Sequence, residues 1–364
     1  MRRHSLIRLL RRAAKILAIN LLVLLGLLIP VELAFGDWLS GRTISMLNVR
    51  PNTLDVQQSP LYPPGTTITY RRDAYGFRGG TGDPADITIL AVGGSTTNER
   101  WVGERDMWTA RLQTLLMQRG CPQTIANAGI DGYSTVAHIA SFRGWFDRVP
   151  NLKPRVILVY VGINDAGVDP GEVNNADSQR YTSPLRRLEH YVAARSAVRR
   201  LYVTLRGWWR ARRAHLLHGE TPVLRHPVWE PAALPADFET GIAGKLQAYR
   251  SRLERLDGLI RRFGSRPIYI TQQRVDGRLV DGRWQQVVGS DGARDTATVA
   301  AIDRTTLSFC RDSGETCIDL AGELSFAPAD HYDGVHTTPS GSARIAEFLA
   351  GKLAPLLCRN GAVR

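Results

Sequence analysis

A doubly wound α/β fold of the flavodoxin-like type, with about five parallel strands and helices on both faces, is what this sequence predicts. Three observations carry that prediction. From Asp86 onward, short apolar runs alternate with stretches of helical period. The runs are continuous rather than alternating, as in strands buried on both faces of a parallel sheet. Several of them end in clusters of Gly and small polar residues, where open α/β sheets hold their chemistry. Composition agrees: 364 residues, 43% hydrophobic and 22% charged, make one large or two medium domains and are too apolar for disorder. Four cysteines are too few for a disulfide-built miniprotein.

The elements follow in chain order. Residues 1–15 carry Arg2, Arg3, Arg8, Arg11, Arg12 and Lys15 and no acid. The uncharged run Ile16–Val31 comes next; continued past Glu32 to Phe35, it reaches about the 20 residues a helix needs to cross a bilayer. The charge asymmetry makes 1–15 a cytoplasmic segment and 16–35 a transmembrane signal anchor, single-pass in a bacterial inner membrane. The rest is then periplasmic or extracellular. A cleaved signal peptide, using Ala34 and Gly36 before Asp37, competes with this reading. The long apolar run favours the anchor, with Glu32 snorkelling to the far interface.

Residues 36–85, rich in Pro, Gly and Thr without a helical period, form an extended lead-in. Ile87–Val92 is the first sheet strand and ends at Gly93. Trp101–Arg119 reads as a helix through Trp108, Leu112, Leu115 and Leu116; Thr124–Ala128 is a strand and Val136–Phe146 a helix. Arg155–Val161 is a central strand. Leu246–Phe263, with Leu253, Leu256 and Ile260, is a helix, followed by the strand Pro267–Thr271. Val299–Cys310 is a helix, Cys317–Leu320 a strand, and Ser340–Leu357 a closing helix capped by Ser340 or Thr338.

Between the third strand and the Leu246 helix lies an Arg-rich helical insertion at about 166–240. Its segment Ser183–His218 holds nine Arg against the single Glu189, with Leu188, Val192, Val198, Leu201, Leu205 and Trp208 at helical spacing. The plain reading is an amphipathic helix covering the domain. The sharper one is a helix on anionic lipid with Trp208 and Trp209 at headgroup depth, and an anionic glycan is a third partner. This segment and residues 1–15 account for the net charge of +13, and the remainder is close to neutral. The case for nucleic-acid binding loses its support with that distribution.

Candidate chemistry lies at the strand ends. Gly93-Gly94-Ser95-Thr96-Thr97 follows the first strand, Asn127-Ala128-Gly129-Ile130-Asp131-Gly132 the second, and Gly162-Ile163-Asn164-Asp165 the third. Asp330-His331-Tyr332-Asp333-Gly334-Val335-His336 precedes the last helix. Singly, each has a bland reading: Ser95 as an N-cap, Gly132 and Asn164 as turn residues, His336 as a surface histidine. As a set they supply the nucleophile, base, orienting acid and oxyanion donors of a serine hydrolase. His331 and His336 lack the further ligands a metal site needs, so no metal or other cofactor is expected. Position 97 is Thr, which departs from the G-x-S-x-G elbow of α/β-hydrolases.

In these blocks and their order across 87–357, the chain resembles the SGNH (GDSL-like) hydrolase family. The resemblance implies the SGNH hydrolase fold over 86–358, with Ser95 as nucleophile, His336 as base and Asp333 as its orienting acid. Asp330, six residues before His336, is the rival acid, and the family's D-x-x-H spacing favours Asp333. The oxyanion hole implied is Ser95 N–H, Gly132 N–H and the Asn164 side chain. The family's first block typically has Asp before Ser, whereas this chain has Gly94. That GGSTT form, with the lead-in YRRDAYGFRG, resembles a membrane-anchored bacterial branch associated with cell-surface polysaccharides. Removal of O-acyl, chiefly O-acetyl, groups from an exported glycan is the implied activity. An O-acyltransferase using the same triad and an inactive glycan-binding assembly protein are the alternatives; the intact site residues argue against the latter.

An exported domain permits disulfides. Cys310 and Cys317 are separated by a short turn, and Cys121 and Cys358 end helices that the sheet topology places on one face, so both bridges are feasible.

Overall fold

In a computed structural model of the chain, the described residues are 2–36, 38–39, 49–80, 82–168, 192, 195–199, 201–202, 205–206 and 227–358. They fall into two units: Met1–Met46 with Arg180–His218, and Leu47–Gln179 with Gly219–Arg364.

In the first unit, helix α1 (Arg2–Phe35) contains a stretch, Lys15–Phe35, that is long and apolar enough to cross a membrane. The Glu32 carboxylate does not simply reach for water. It accepts hydrogen bonds from Trp38 Nε1 at 2.8 Å, Ser196 Oγ at 2.5 Å and the N–H groups of Ala197 and Val198 at 2.8 and 3.2 Å. A carboxylate there satisfies donors that the first turn of a helix leaves open. Most of the Arg-rich segment, including Leu188, Trp208 and Trp209, lies outside the described residues; Val198, Leu201 and Leu205 are exposed.

The second unit opens with the lead-in, whose extended chain is folded into a hairpin. Strands β1 (Thr53–Gln58) and β2 (Thr67–Arg72) pair antiparallel, and β2 turns Ile68, Tyr70 and Arg72 inward. A bridge from Arg78 to Asn127 then ties the lead-in to the main sheet.

That sheet has five parallel strands: β3 (Ile89–Gly93), β4 (Ile125–Asn127), β5 (Val156–Tyr160), β7 (Arg266–Ile270) and β10 (Thr316–Ile318). Their order is β10-β7-β5-β3-β4, the flavodoxin-like arrangement the sequence predicts. Every residue of β3 and β5 is buried, which is why these runs are uniformly apolar. Two short helices follow β3: α2 (Ser95–Asn98) and then α3 (Trp108–Gln118). Trp108, Leu112 and Leu116 pack with Ile345, Leu349 and Leu353 of the last helix, α8 (Pro339–Leu357), which comes after the one-turn α7 (Leu320–Glu323), against one face of the sheet. On the other side, α4 (Thr135–Gly144), α5 (Phe238–Arg262) and α6 (Gly292–Ser313) pack in sequence through residues such as Tyr249, Leu256 and Ile302.

Both disulfides are present: Cys121–Cys358 joins the ends of α3 and α8 with Cα atoms 5.4 Å apart, and Cys310–Cys317 closes the α6–β10 turn at 6.0 Å. Three helix starts lie well away from the sequence reading. Helix α3 starts at Trp108, not Trp101, because Glu99 leaves α2 in the left-handed region (φ 48°) and its carboxylate takes the Trp108 N–H at 2.8 Å. Helix α5 starts at Phe238, where Phe238 and Ile242 extend the apolar spacing of Leu246 and Tyr249 backward, and α6 starts at Gly292, with opening turns too polar or too small to display an apolar period. The sequence reading also passed over a small antiparallel sheet of β6 (Trp229–Pro231), β8 (Gly277–Val280) and β9 (Arg283–Val287). Its turn is Asp281-Gly282, with φ of 48° and 74°, the pair a tight hairpin demands.

Candidate active site

Gly93 and Gly94 bring the chain out of β3 into α2, and Ser95 is the first residue of that helix. The Ser95 N–H therefore has no intrahelical acceptor. Gly93 has no room for a side chain, and one at Gly94 would have to push Asn164 aside. A Cβ on Gly93 would strike Thr97 Oγ1 and Tyr160 O, and one on Gly94 would overlap Asn164 Nδ2. The amide of Asn164 thus stands where a side chain at position 94 would begin, and it would have to shift to admit one.

The histidine arrives from the segment before α8. His336 Nε2 lies 2.7 Å from Ser95 Oγ, and His336 Nδ1 lies 2.6 Å from Asp333 Oδ2. The other oxygen of Asp333 accepts the N–H groups of Val335 and His336 at 2.9 and 2.7 Å, so the loop holds its own acid in place. Burial alone would raise the Asp333 carboxyl. The imidazole and the two N–H donors outweigh it and hold the group below its ordinary value. Tyr332 stacks on the His336 ring at 5.5 Å. The rival, Asp330, faces away: it pairs with Arg344 at 2.6 Å and accepts the Ala327 N–H. His331 is buried edge-on to Phe326, and burial pushes its imidazole down to about 4. Among the described residues no group of three His, Cys, Asp or Glu is placed to hold a metal.

Two further strand ends complete the rim. Asn164 sits on the short 3-10 helix Ile163–Gly167 after β5 and donates one amide hydrogen to Tyr133 O at 2.9 Å, leaving the other. Gly132, exposed and at φ 74°, has no hydrogen-bond partner on its N–H among the described residues. Its turn is held by Ile130 N–H on Gly93 O at 3.1 Å. Gly129 allows close approach, since a Cβ there would strike the Asn98 backbone.

Behind this rim lie buried residues that the sequence reading did not single out. Gln272, 2% exposed just past β7, donates from Nε2 to Thr96 Oγ1 and accepts the Ile163 N–H on Oε1, each at 2.9 Å. It thus bridges the neighbour of Ser95 to the neighbour of Asn164. Arg252 bonds Thr135 Oγ1 at 2.7 Å and Asp165 at 3.0 Å, tying α5 to α4 and to the Asn164 loop. Arg72 of the lead-in reaches Asn98 Oδ1 at 2.7 Å and Gly129 O at 2.6 Å, which gives the YRRDAYGFRG segment a place behind the first two blocks. Glu99 is wholly buried against Ser342, Thr337 and the Trp108 N–H, and burial pushes it up to about 8. Arg252 alone left a trace in sequence: it falls on the buried stripe of Tyr249, Leu253 and Leu256.

Among solved structures, TesA is similar over 74% of this chain and 99% of its own, at 14% identity and TM-score 0.43. An acetylxylan esterase from Geobacillus stearothermophilus is similar over 75% and 95%, at 13% and 0.42. A putative arylesterase from Agrobacterium tumefaciens str. C58 is similar over 74% and 100%, at 13% and 0.39. No match is found among curated proteins. The family model of the GDSL-like lipases and acylhydrolases matches residues 91–344, from inside β3 to inside α8, and so takes in every strand end described above. By that match this chain belongs to the GDSL-like lipase/acylhydrolase family.

Proposed function

We propose that Ser95, His336 and Asp333 act as a nucleophile–base–acid triad that removes O-acyl, chiefly O-acetyl, groups from a glycan. The observation that carries the reading is the continuous relay of 2.7 Å from Ser95 Oγ to His336 Nε2 and 2.6 Å from Nδ1 to Asp333. His336 takes the Ser95 proton as Oγ adds to the ester carbonyl. The Ser95 and Gly132 N–H groups and the spare Asn164 amide hydrogen receive the oxyanion. His336 then gives that proton to the departing sugar oxygen, which leaves as the hydroxyl; a water, deprotonated by the same imidazole, adds to the acyl-enzyme, and the proton passes to Ser95 Oγ as the acid departs. Asp333, held ionised, keeps Nδ1 protonated throughout.

The membrane placement belongs to the same proposal. The apolar helix anchors the protein in a bacterial inner membrane with residues 1–15 in the cytoplasm, and the hydrolase domain, 86–358, works in the periplasm or outside. Two disulfides and no free cysteine among the described residues support an oxidising compartment. The Arg-rich insertion is suited to anionic lipid. The glycan rests on family analogy.

Full-length protein in detergent should hydrolyse p-nitrophenyl acetate with release of acetate. An absence of turnover above background would leave the inactive glycan-binding reading in its place. Diversion of the acetyl group onto added xylo-oligosaccharide, at the expense of free acetate, would make the enzyme an acyltransferase.

A further inference from the structure

A cavity of about 390 Å³ opens beside the 3-10 helix that carries Asn164, with Ala166 of that helix in its wall. The volume is within the range of small-molecule sites, roughly 300–1,000 Å³. Two tethers tie it to the candidate active site. Lys245 lines the cavity and donates from Nζ to Ala166 O. Asp295, also in the lining, pairs with Arg274 at 3.0 Å, and Arg274 is close enough to Asp333 for their charges to interact. Arg274 also grips Asp276 at 2.7 Å, and that carboxylate fills the space beside Gly334 where a side chain would stand. The cavity is therefore linked to both the Asn164 loop and the Asp333–His336 loop.

Its chemistry is mixed in a particular way. Lys245 and Arg294 supply donors, Asp237 and Asp295 supply acceptors, and Phe238 and Ile242 supply apolar surface. The formal charges balance, so neither an anion nor a cation is selected. A hydrocarbon chain is a poor occupant, because it would strip water from four charged groups and return no hydrogen bond. A neutral polyhydroxyl ring matches: its hydroxyls donate to carboxylates and accept from Lys and Arg, while its C–H faces lie on Phe238 and Ile242. We infer that this cavity is the subsite for a neutral saccharide unit of the ester's alcohol part. The inference rests on the proposal that Ser95 attacks a glycan ester, and it adds where the glycan sits.

The test compares three substrates of the full chain in detergent: p-nitrophenyl acetate, p-nitrophenyl octanoate and O-acetylated xylo-oligosaccharide. Ile242→Trp fills the cavity, and Lys245→Met removes its donor and charge. The readout is kcat/KM for the oligosaccharide divided by that for p-nitrophenyl acetate, a ratio from which the fraction of folded enzyme cancels. A fall of at least tenfold in this ratio for Ile242→Trp, and a smaller fall for Lys245→Met, is expected. An unchanged ratio in both variants overturns the subsite. A selective loss on the octanoate ester also overturns it, because the cavity would then hold the acyl chain. Wild-type protein that turns over p-nitrophenyl acetate but not the oligosaccharide overturns the saccharide assignment and leaves the ester hydrolase standing. Failure on p-nitrophenyl acetate as well overturns the hydrolase reading beneath it.

Discussion

Gly94 and Asn164 are two halves of one feature, because the amide of one occupies the space the other leaves empty. Gly94→Asp would restore the residue typical of the family's first block, yet it should damage this enzyme. The new side chain displaces Asn164 Nδ2, and turnover of p-nitrophenyl acetate should fall about as far as in Asn164→Ala. Losing one oxyanion donor costs about 10²–10³-fold in kcat with KM little changed. A Gly94→Asp protein with wild-type kcat would show that Asn164 does not need its present position. At this scale, the chemistry at the strand ends is legible and the buried support behind it is not. Ser95, Gly132, Asn164, Asp333 and His336 stand out because small and polar residues at strand ends break an apolar pattern. Gln272 and Glu99 break no pattern: each is a single polar residue whose partners lie far along the chain, such as Thr96 for Gln272 and Ser342 for Glu99.

Between α2 and α3, Glu99 shows how an element boundary can be fixed by burial rather than by propensity. Ser342 Oγ lies within reach of both Glu99 Oε1 and Thr338 O, and one hydroxyl hydrogen cannot serve both. A neutral Glu99 that donates to Ser342 resolves the conflict, in keeping with a carboxyl pushed up to about 8 by burial. The sign follows from linkage. Below about pH 4.5 the group is protonated in both states; between there and about pH 8 only the unfolded chain loses the proton, so stability falls as pH rises. Glu99→Gln keeps the hydrogen bonds and removes the titration. Its Tm should match the wild type near pH 4 and exceed it at pH 8.5, by an amount equivalent to a few kcal/mol, roughly. Parallel Tm profiles of the two proteins across this range would mean Glu99 is ionised when folded. The hairpin β8–β9 teaches the complementary lesson. Its Asp281-Gly282 turn is a hairpin signal, but the flanking strands are exposed or half-buried and lack the apolar run that marks the strands of the core.

For the whole molecule, topology was the most legible level, since alternating buried strands and helices leave few ways to connect a parallel sheet. The same topology put Cys121 and Cys358 at neighbouring helix ends, 237 residues apart in sequence. The relation of the Arg-rich insertion to the rest was not legible, because amphipathic spacing does not say whether protein or lipid covers the apolar stripe. The proposed chemistry turns on one atom, Ser95 Oγ, and on its 2.7 Å contact with His336. Intact-mass measurement after treatment with a fluorophosphonate probe tests it most directly. The wild-type chain should gain a single adduct that maps to Ser95, and Ser95→Ala should gain none while its p-nitrophenyl acetate hydrolysis drops to background. An adduct on another residue, or a Ser95→Ala protein that still hydrolyses the ester at the wild-type rate, would contradict the account.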